Sequence, residues 1–112
     1  MAEITWDDFD KVDVRVGKVI EVEPFPEARK PAIKLEIDFG SSIGTRRTSA
    51  QLTTHYEPGD LLGRQVVAVV NFPPKRIAGF KSEVLVLGVP HDDGEVVLLS
   101  PDYDVPLGGR MF

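Results

Sequence analysis

The chain has 112 residues, 42% of them hydrophobic, with 13 lysines and arginines against 18 acidic residues for a net charge of -5, and it contains no cysteine. That length supports one buried core and excludes a two-lobed enzyme with a cleft between domains. The missing thiols exclude a disulfide scaffold, a thiolate metal centre and a cysteine nucleophile, and make the reducing cytoplasm the expected compartment.

The longest apolar stretch, Val66-Val67-Ala68-Val69-Val70, falls far short of the ~20 residues that span a bilayer. The start Met1-Ala2-Glu3-Ile4 lacks the basic-then-apolar pattern of a signal peptide, so neither membrane insertion nor secretion is expected. Charge is segregated along the chain. Near the start Lys11 stands against Glu3, Asp7, Asp8 and Asp10, and Asp92, Asp93, Glu95, Asp102 and Asp104 have no base among them. Between these acidic ends lie Arg64, Lys75, Arg76 and Lys81 with Glu83 alone. Such a centre reads either as a confined anion-facing patch or as ordinary surface charge.

In chain order, Thr5 can cap a short helix whose Asp7 and Asp8 suit its N-terminus and whose Trp6 and Phe9 share a face. Alternation then sets in. Val12, Val14, Val16, Ile20 and Val22 fall on even positions and predict a long half-buried strand with that set turned inward. A loop holding Pro24, Pro26 and Pro31 leads to a second strand with Ile33, Leu35, Ile37 and Phe39 inward. Gly40 to Gly44 is turn chemistry, followed by a more polar strand over residues 45–52. Residues 53–63 predict a short helix that Pro58 starts and Gly63 stops. The apolar runs 66–70, 84–87 and 96–99 read as strands buried on both faces.

This pattern predicts an all-β chain: a five- to six-stranded Greek-key barrel of the oligonucleotide/oligosaccharide-binding (OB) type, with a short N-terminal helix and a helical insertion between strands 3 and 4. It is read as one domain over residues 1–112, with both ends outside the barrel. An immunoglobulin-like sandwich competes, but it requires about seven evenly spaced strands and no helix in mid-chain.

Catalysis has little to stand on. His91 in Pro90-His91-Asp92-Asp93-Gly94 sits beside two carboxylates that could hold a divalent metal, yet the spacing is equally a hairpin turn, and no metal or cofactor is expected. His55 lies near no nucleophile-elbow serine. The informative segment runs from Val70 to Ser82. Pro73 and Pro74 stop the preceding strand, so Phe72, Ile77 and Phe80 are expected on a loop interleaved with Lys75, Arg76 and Lys81. These apolar residues either close the barrel end or, with Pro73, Pro74 and Val84, form a surface that takes an unfolded polypeptide. Arg46, Arg47, Lys75, Arg76, Lys81 and Ser82 form the candidate nucleic-acid face. Trp6, Phe9, Val105, Leu107, Met111 and Phe112 lie outside the barrel pattern and predict either a two-fold dimer contact or docking on the chain's own barrel.

The residues also carry a resemblance. Asp13-Val14-Arg15-Val16-Gly17-Lys18-Val19, the loop from Phe25 to Lys30, and the Asn-x-x-Pro-Lys-Arg-Ile-x-Gly core from Asn71 to Gly79 are similar to the tRNA-binding domains found as stand-alone dimers and as appendages of methionyl-tRNA synthetases. Residues 49–53 and 80–85 resemble the CsaA branch in particular, described as chaperones of protein export. That resemblance implies a non-catalytic homodimer that holds unfolded or precursor polypeptides for the export translocase, with tRNA or structured RNA as the alternative partner on the same basic face. Where the wider family carries Ser-x-Gly-Met, this chain reads Ser82-Glu83-Val84-Leu85, which sets a carboxylate beside the phosphate track and is expected to weaken RNA binding.

Overall fold

The computed structural model describes residues 1–112. Helix α1 (Trp6–Asp10) is closed at its start by a reciprocal pair: Asp8 N–H donates to the Thr5 hydroxyl and Thr5 N–H to the Asp8 carboxylate, each at 3.1 Å. The main sheet is antiparallel throughout. It comprises β1 (Val14–Pro24), β2 (Ile33–Asp38), β3 (Thr45–Ala50), β4 (Gln65–Val69) and, after two short strands, β7 (Leu85–Val86), in the spatial order β3-β2-β1-β4-β7. Two hairpins flank it, β5 (Lys75–Ile77) with β6 (Phe80–Ser82), and β8 (Gly88–Pro90) with β9 (Val96–Leu98). Helix α2 (Pro58–Leu61) follows β3 as expected, and Gly63 at φ +83° ends that turn.

The outer edges of the sheet approach each other and nearly close a barrel. Glu83 N–H donates to the Arg47 carbonyl (2.8 Å), Ser49 N–H to Ser82 Oγ (3.2 Å), and Thr48 Oγ1 to the Val84 carbonyl (2.7 Å). Side chains supply two of those three bonds. The seam is therefore laced by hydroxyls, and the buried hydroxyl of Thr48 is satisfied there.

Strand β1 serves two neighbours, pairing through residues 14–18 with β4 and through 18–24 with β2. A bulge between Val19 and Glu21 shifts its register by one residue. The inward face therefore changes parity: Gly17 and Val19 are buried ahead of the bulge, Val22 packs on the core after it, and Ile20 is left 42% exposed. Of the even-numbered set expected inward, Val14 is buried and Val22 packs on the core, whereas Val16 is half-buried, Ile20 is exposed and Val12 lies outside the strand. Strand β2 keeps its expected phase, with Ile33, Leu35 and Ile37 buried and Phe39 following them into the core. The runs 84–87 and 96–99 are buried on one face only, since Leu85 and Leu99 reach solvent beside buried Val84 and Leu98. No helix is long and apolar enough to cross a membrane.

The segment after the paired prolines is a hairpin, where the sequence had suggested an open loop. Its two-residue turn places Ala78 at φ 48° and Gly79 at φ 80°, the positive pair that a type I′ turn requires. Alanine in that region costs about 1 kcal/mol that asparagine, the favoured residue there, largely avoids. Ala78→Asn is accordingly expected to raise stability by up to about 1 kcal/mol, read as a higher urea midpoint at unchanged slope.

The C-terminal segment runs along the end of β1 that β2 leaves bare. Gly108 N–H donates to the Val16 carbonyl (2.8 Å), Val16 N–H to Gly109 (3.0 Å), and Met111 N–H to Val14 (2.8 Å). Arg15 Nε donates to Asp13 Oδ1 at 2.6 Å while Arg110 Nε stands 3.6 Å from the same oxygen. The Arg15 bond, reinforced by the charges of both guanidinium groups, holds the Asp13 carboxyl below its ordinary range.

Candidate binding groove

A groove of about 750 Å³ opens between the β1–β2 connection and the β5–β6 hairpin. One lip comes from Ala28, Arg29, Lys30 and Ala32, held off the sheet by the proline-rich loop. Phe25 anchors that loop: it is buried, with its ring edge-on to Phe80 at 5.4 Å between centroids. The other lip is Lys75, Arg76 and Ile77 on β5. Between them lie Ala50 and Leu52 at the end of β3, Leu85 and Val86 on β7, and Val96 and Leu98 on β9. This is the face on which OB barrels, framed by the corresponding loops, take up linear polymers.

The electrostatics of the groove run against those of the chain. Arg29, Lys30, Lys75 and Arg76 line it, no carboxylate does, and none of these four cations has an ion-pair partner within 4.0 Å. Arg46 and Arg47 differ, since they stand 3.9 Å from Glu83 and 4.0 Å from Glu23. A smaller adjoining hollow of about 330 Å³ adds Phe72, Pro73, Ser82, Glu83 and Val84 while sharing Ser49, Lys75, Ile77 and Leu85 with the groove.

The candidate residues therefore divide. Phe72, Pro73, Ile77, Lys75, Arg76 and Ser82 converge on the two hollows, with Phe72 54% exposed. Pro74 is exposed but lines neither hollow, and Lys81 lies opposite Arg76 across the hairpin. Phe80 differs from the open ring expected of a loop residue. It is 8% exposed, packed on Phe25 and covered by the Arg47 guanidinium at 4.8 Å and the Lys34 ammonium at 5.1 Å from its centroid. Its hairpin partner across the turn is Ile77, and hairpin geometry turns one of the two rows inward to seal the barrel. Val84 belongs to the core and offers the smaller hollow only a wall.

Arg29 and Lys30 were missed because their loop stood out in the sequence as structural punctuation. Two adjacent cations on a segment stiffened by three prolines were the available signal.

At the chain ends, Trp6 is 82% exposed with one edge on Phe9, and Met111 and Phe112 are also exposed. Phe9, Val12, Met111 and Phe112 surround a shallow hollow of about 180 Å³. Val105 and Leu107 turn toward the chain's own barrel. The backbone of Val105 clasps the Gln65 amide through bonds of 2.7 and 3.1 Å, and Leu107 is half-buried.

Residues 14–110 match the family model for the tRNA-binding domain. The crystal structure of chaperone CsaA from Bacillus anthracis is 56% identical, covers 99% of this chain and 100% of its own, and superposes with a TM-score of 0.91. The CsaA chaperone protein from Picrophilus torridus is 52% identical over 98% of this chain and 100% of its own, also with a TM-score of 0.91. The methionine–tRNA ligase of Thermococcus kodakarensis is 40% identical over 112 residues, which are 99% of this chain but 14% of the ligase.

Proposed function

The chain belongs to the tRNA-binding domain family, and from that premise we propose that it is a non-catalytic, homodimeric, export-related chaperone of the cytoplasm. It holds unfolded or precursor polypeptides, destined for the translocase, in the groove between Arg29 and Lys75. The observation that carries this reading is a broad apolar floor edged by four unpaired cations and no carboxylate. An unfolded chain exposes apolar side chains that such a floor removes from water, at about 25 cal/mol for each Å² covered. The cations favour acidic or neutral segments.

A second reading, tRNA binding, is favoured by the same unpaired cations on an OB face. Sequence-tolerant nucleic-acid binding also draws on open aromatic rings for stacking. Here Phe80 is closed under Lys34 and Arg47, Phe72 is the one open ring beside the groove, and Glu83 lines the hollow next to it.

The test is fluorescence anisotropy with a labelled unfolded precursor and with labelled tRNA, over a range of salt. Ile77→Ser with Leu85→Ser, both outside the core cluster, should weaken the polypeptide about tenfold, the equivalent of ~1.4 kcal/mol, and leave tRNA little changed. Lys75→Ser with Arg76→Ser should flatten any salt dependence of tRNA binding. Polypeptide affinity untouched by the apolar pair, together with a steep salt-dependent tRNA affinity lost in the cationic pair, would overturn the first reading in favour of the second.

A further inference from the structure

The hairpin between β8 and β9 turns through His91, Asp92, Asp93 and Gly94, with Gly94 at φ +81°. In the sequence that stretch is accounted for as a turn. The fold adds a third group from 38 residues away: His55, from the segment between β3 and α2, lies over the turn with Nε2 3.0 Å from Asp93 Oδ2. The rings of His55 and His91 lie 5.0 Å apart between centroids at an interplanar angle of 36°. One donor atom from each of His55, His91 and Asp93 falls within 4.8 Å of the others.

The carboxylate is held in place for a second partner. Asp93 Oδ1 accepts the Glu95 N–H at 2.9 Å, which fixes the orientation of the carboxylate. Both of its oxygens face His55 Nε2, Oδ2 at 3.0 Å and Oδ1 at 3.3 Å. Around a tetrahedral ion with bonds of about 2.0–2.1 Å, donors lie roughly 3.3 Å apart. Small side-chain rotations bring the three groups to that spacing, and all three are exposed enough to make them. His91 gives up one hydrogen bond in doing so, because its Nδ1 accepts the N–H of Asp92 at 2.8 Å.

We propose that His55, His91 and Asp93 form a binding site for a transition-metal dication, zinc(II) foremost, with water completing its shell. Two imidazoles and one carboxylate suit zinc, cobalt and nickel, whereas magnesium and calcium take oxygen donors almost exclusively. The site lies beyond the groove residues yet is joined to them. His55 is three residues from Leu52 and Asp93 three from Val96, both of which line the groove. A bound ion therefore pins the segment after β3 to the β8–β9 hairpin and stiffens one end of the groove, whatever polymer the groove holds.

Cobalt(II) is the probe, since its visible absorption intensifies and shifts when nitrogen donors replace water in a low-symmetry site. Titration of the whole chain is expected to give that spectrum saturating at one equivalent, to be reversed by zinc(II), and zinc(II) is expected to raise the melting temperature. His55→Ala and His91→Ala should each weaken binding about tenfold or more, as loss of groups that hold or orient a metal does, while Asp92→Asn should leave it within about twofold. All are surface positions, and far-ultraviolet circular dichroism is the check that each variant folds. A cobalt spectrum unchanged from the aqueous ion, or equal affinity in wild type and both histidine variants, would overturn the site.

Discussion

Gly17→Ala is expected to destabilise the chain by about 2 kcal/mol, although alanine is the better strand residue. In an open strand the replacement would gain about 0.5–1 kcal/mol through lower unfolded-state entropy. Gly17 is not in an open position. A Cβ built there meets Ile37 Cγ2 at 2.5 Å and the Phe39 ring at 2.8 Å, distances real Cβ atoms essentially never show. Ile37 and Phe39 are fully buried, so neither can move aside without shifting its own neighbours. Overpacking of this kind costs roughly 1–3 kcal/mol, and a clash on two rigid neighbours lies at the upper end, which outweighs the entropic gain. Urea unfolding followed by circular dichroism should show the midpoint fall. Unchanged or raised stability would mean that β1 and β2 are not packed this closely.

The same glycine shows where the sequence was legible and where it was not. Strand β2, with its uninterrupted alternation of Ile33, Leu35, Ile37 and Phe39, came out in its expected phase because one side of it faces the core along its whole length. In β1 alternation gives Val14 and Val22 correctly but passes over the buried Gly17 and Val19. A bulge is a one-residue event with no side-chain signature of its own, and the inward residue at 17 is a glycine that hydrophobic periodicity cannot count. Lys75 and Arg76 stand out in the sequence among prolines and apolar loop residues, whereas the equally adjacent Arg29 and Lys30 gain their place only when the curl of the barrel sets them on the facing lip. Phe80 was legible as an aromatic near cations and illegible as a closed one. That outcome depends on Phe25 and Lys34 arriving from another loop and strand. His55 and Asp93 illustrate the same limit, since 38 residues of separation hide a 3.0 Å contact.

Trp6→Glu combined with Phe112→Glu is expected to convert the proposed dimer into monomers in sedimentation velocity. Deleting residues 106–112, the simplest test the sequence suggests, would be ambiguous in this fold. It would also strip β1 of its bonds to Gly108, Gly109 and Met111 and remove Arg110 from Asp13, so a loss of dimer could follow from a loss of structure. The paired substitution leaves those backbone bonds in place and changes two exposed side chains. Trp6 and Phe112 both project from the region where α1 and the tail meet, which Arg110 ties together through its bond to the Asp10 carbonyl at 2.6 Å. An aromatic ring buried at a contact covers about 150–250 Å², and in a two-fold contact each substitution acts in both copies. Four carboxylates would then have to enter a surface already edged by Asp7, Asp8 and Asp10. No groove residue belongs to this patch, so the monomer should bind a short peptide with unchanged affinity. A long unfolded chain that can span both grooves should lose affinity by an order of magnitude or more, because its second attachment is no longer intramolecular. A variant that stays dimeric would place the contact elsewhere on the molecule.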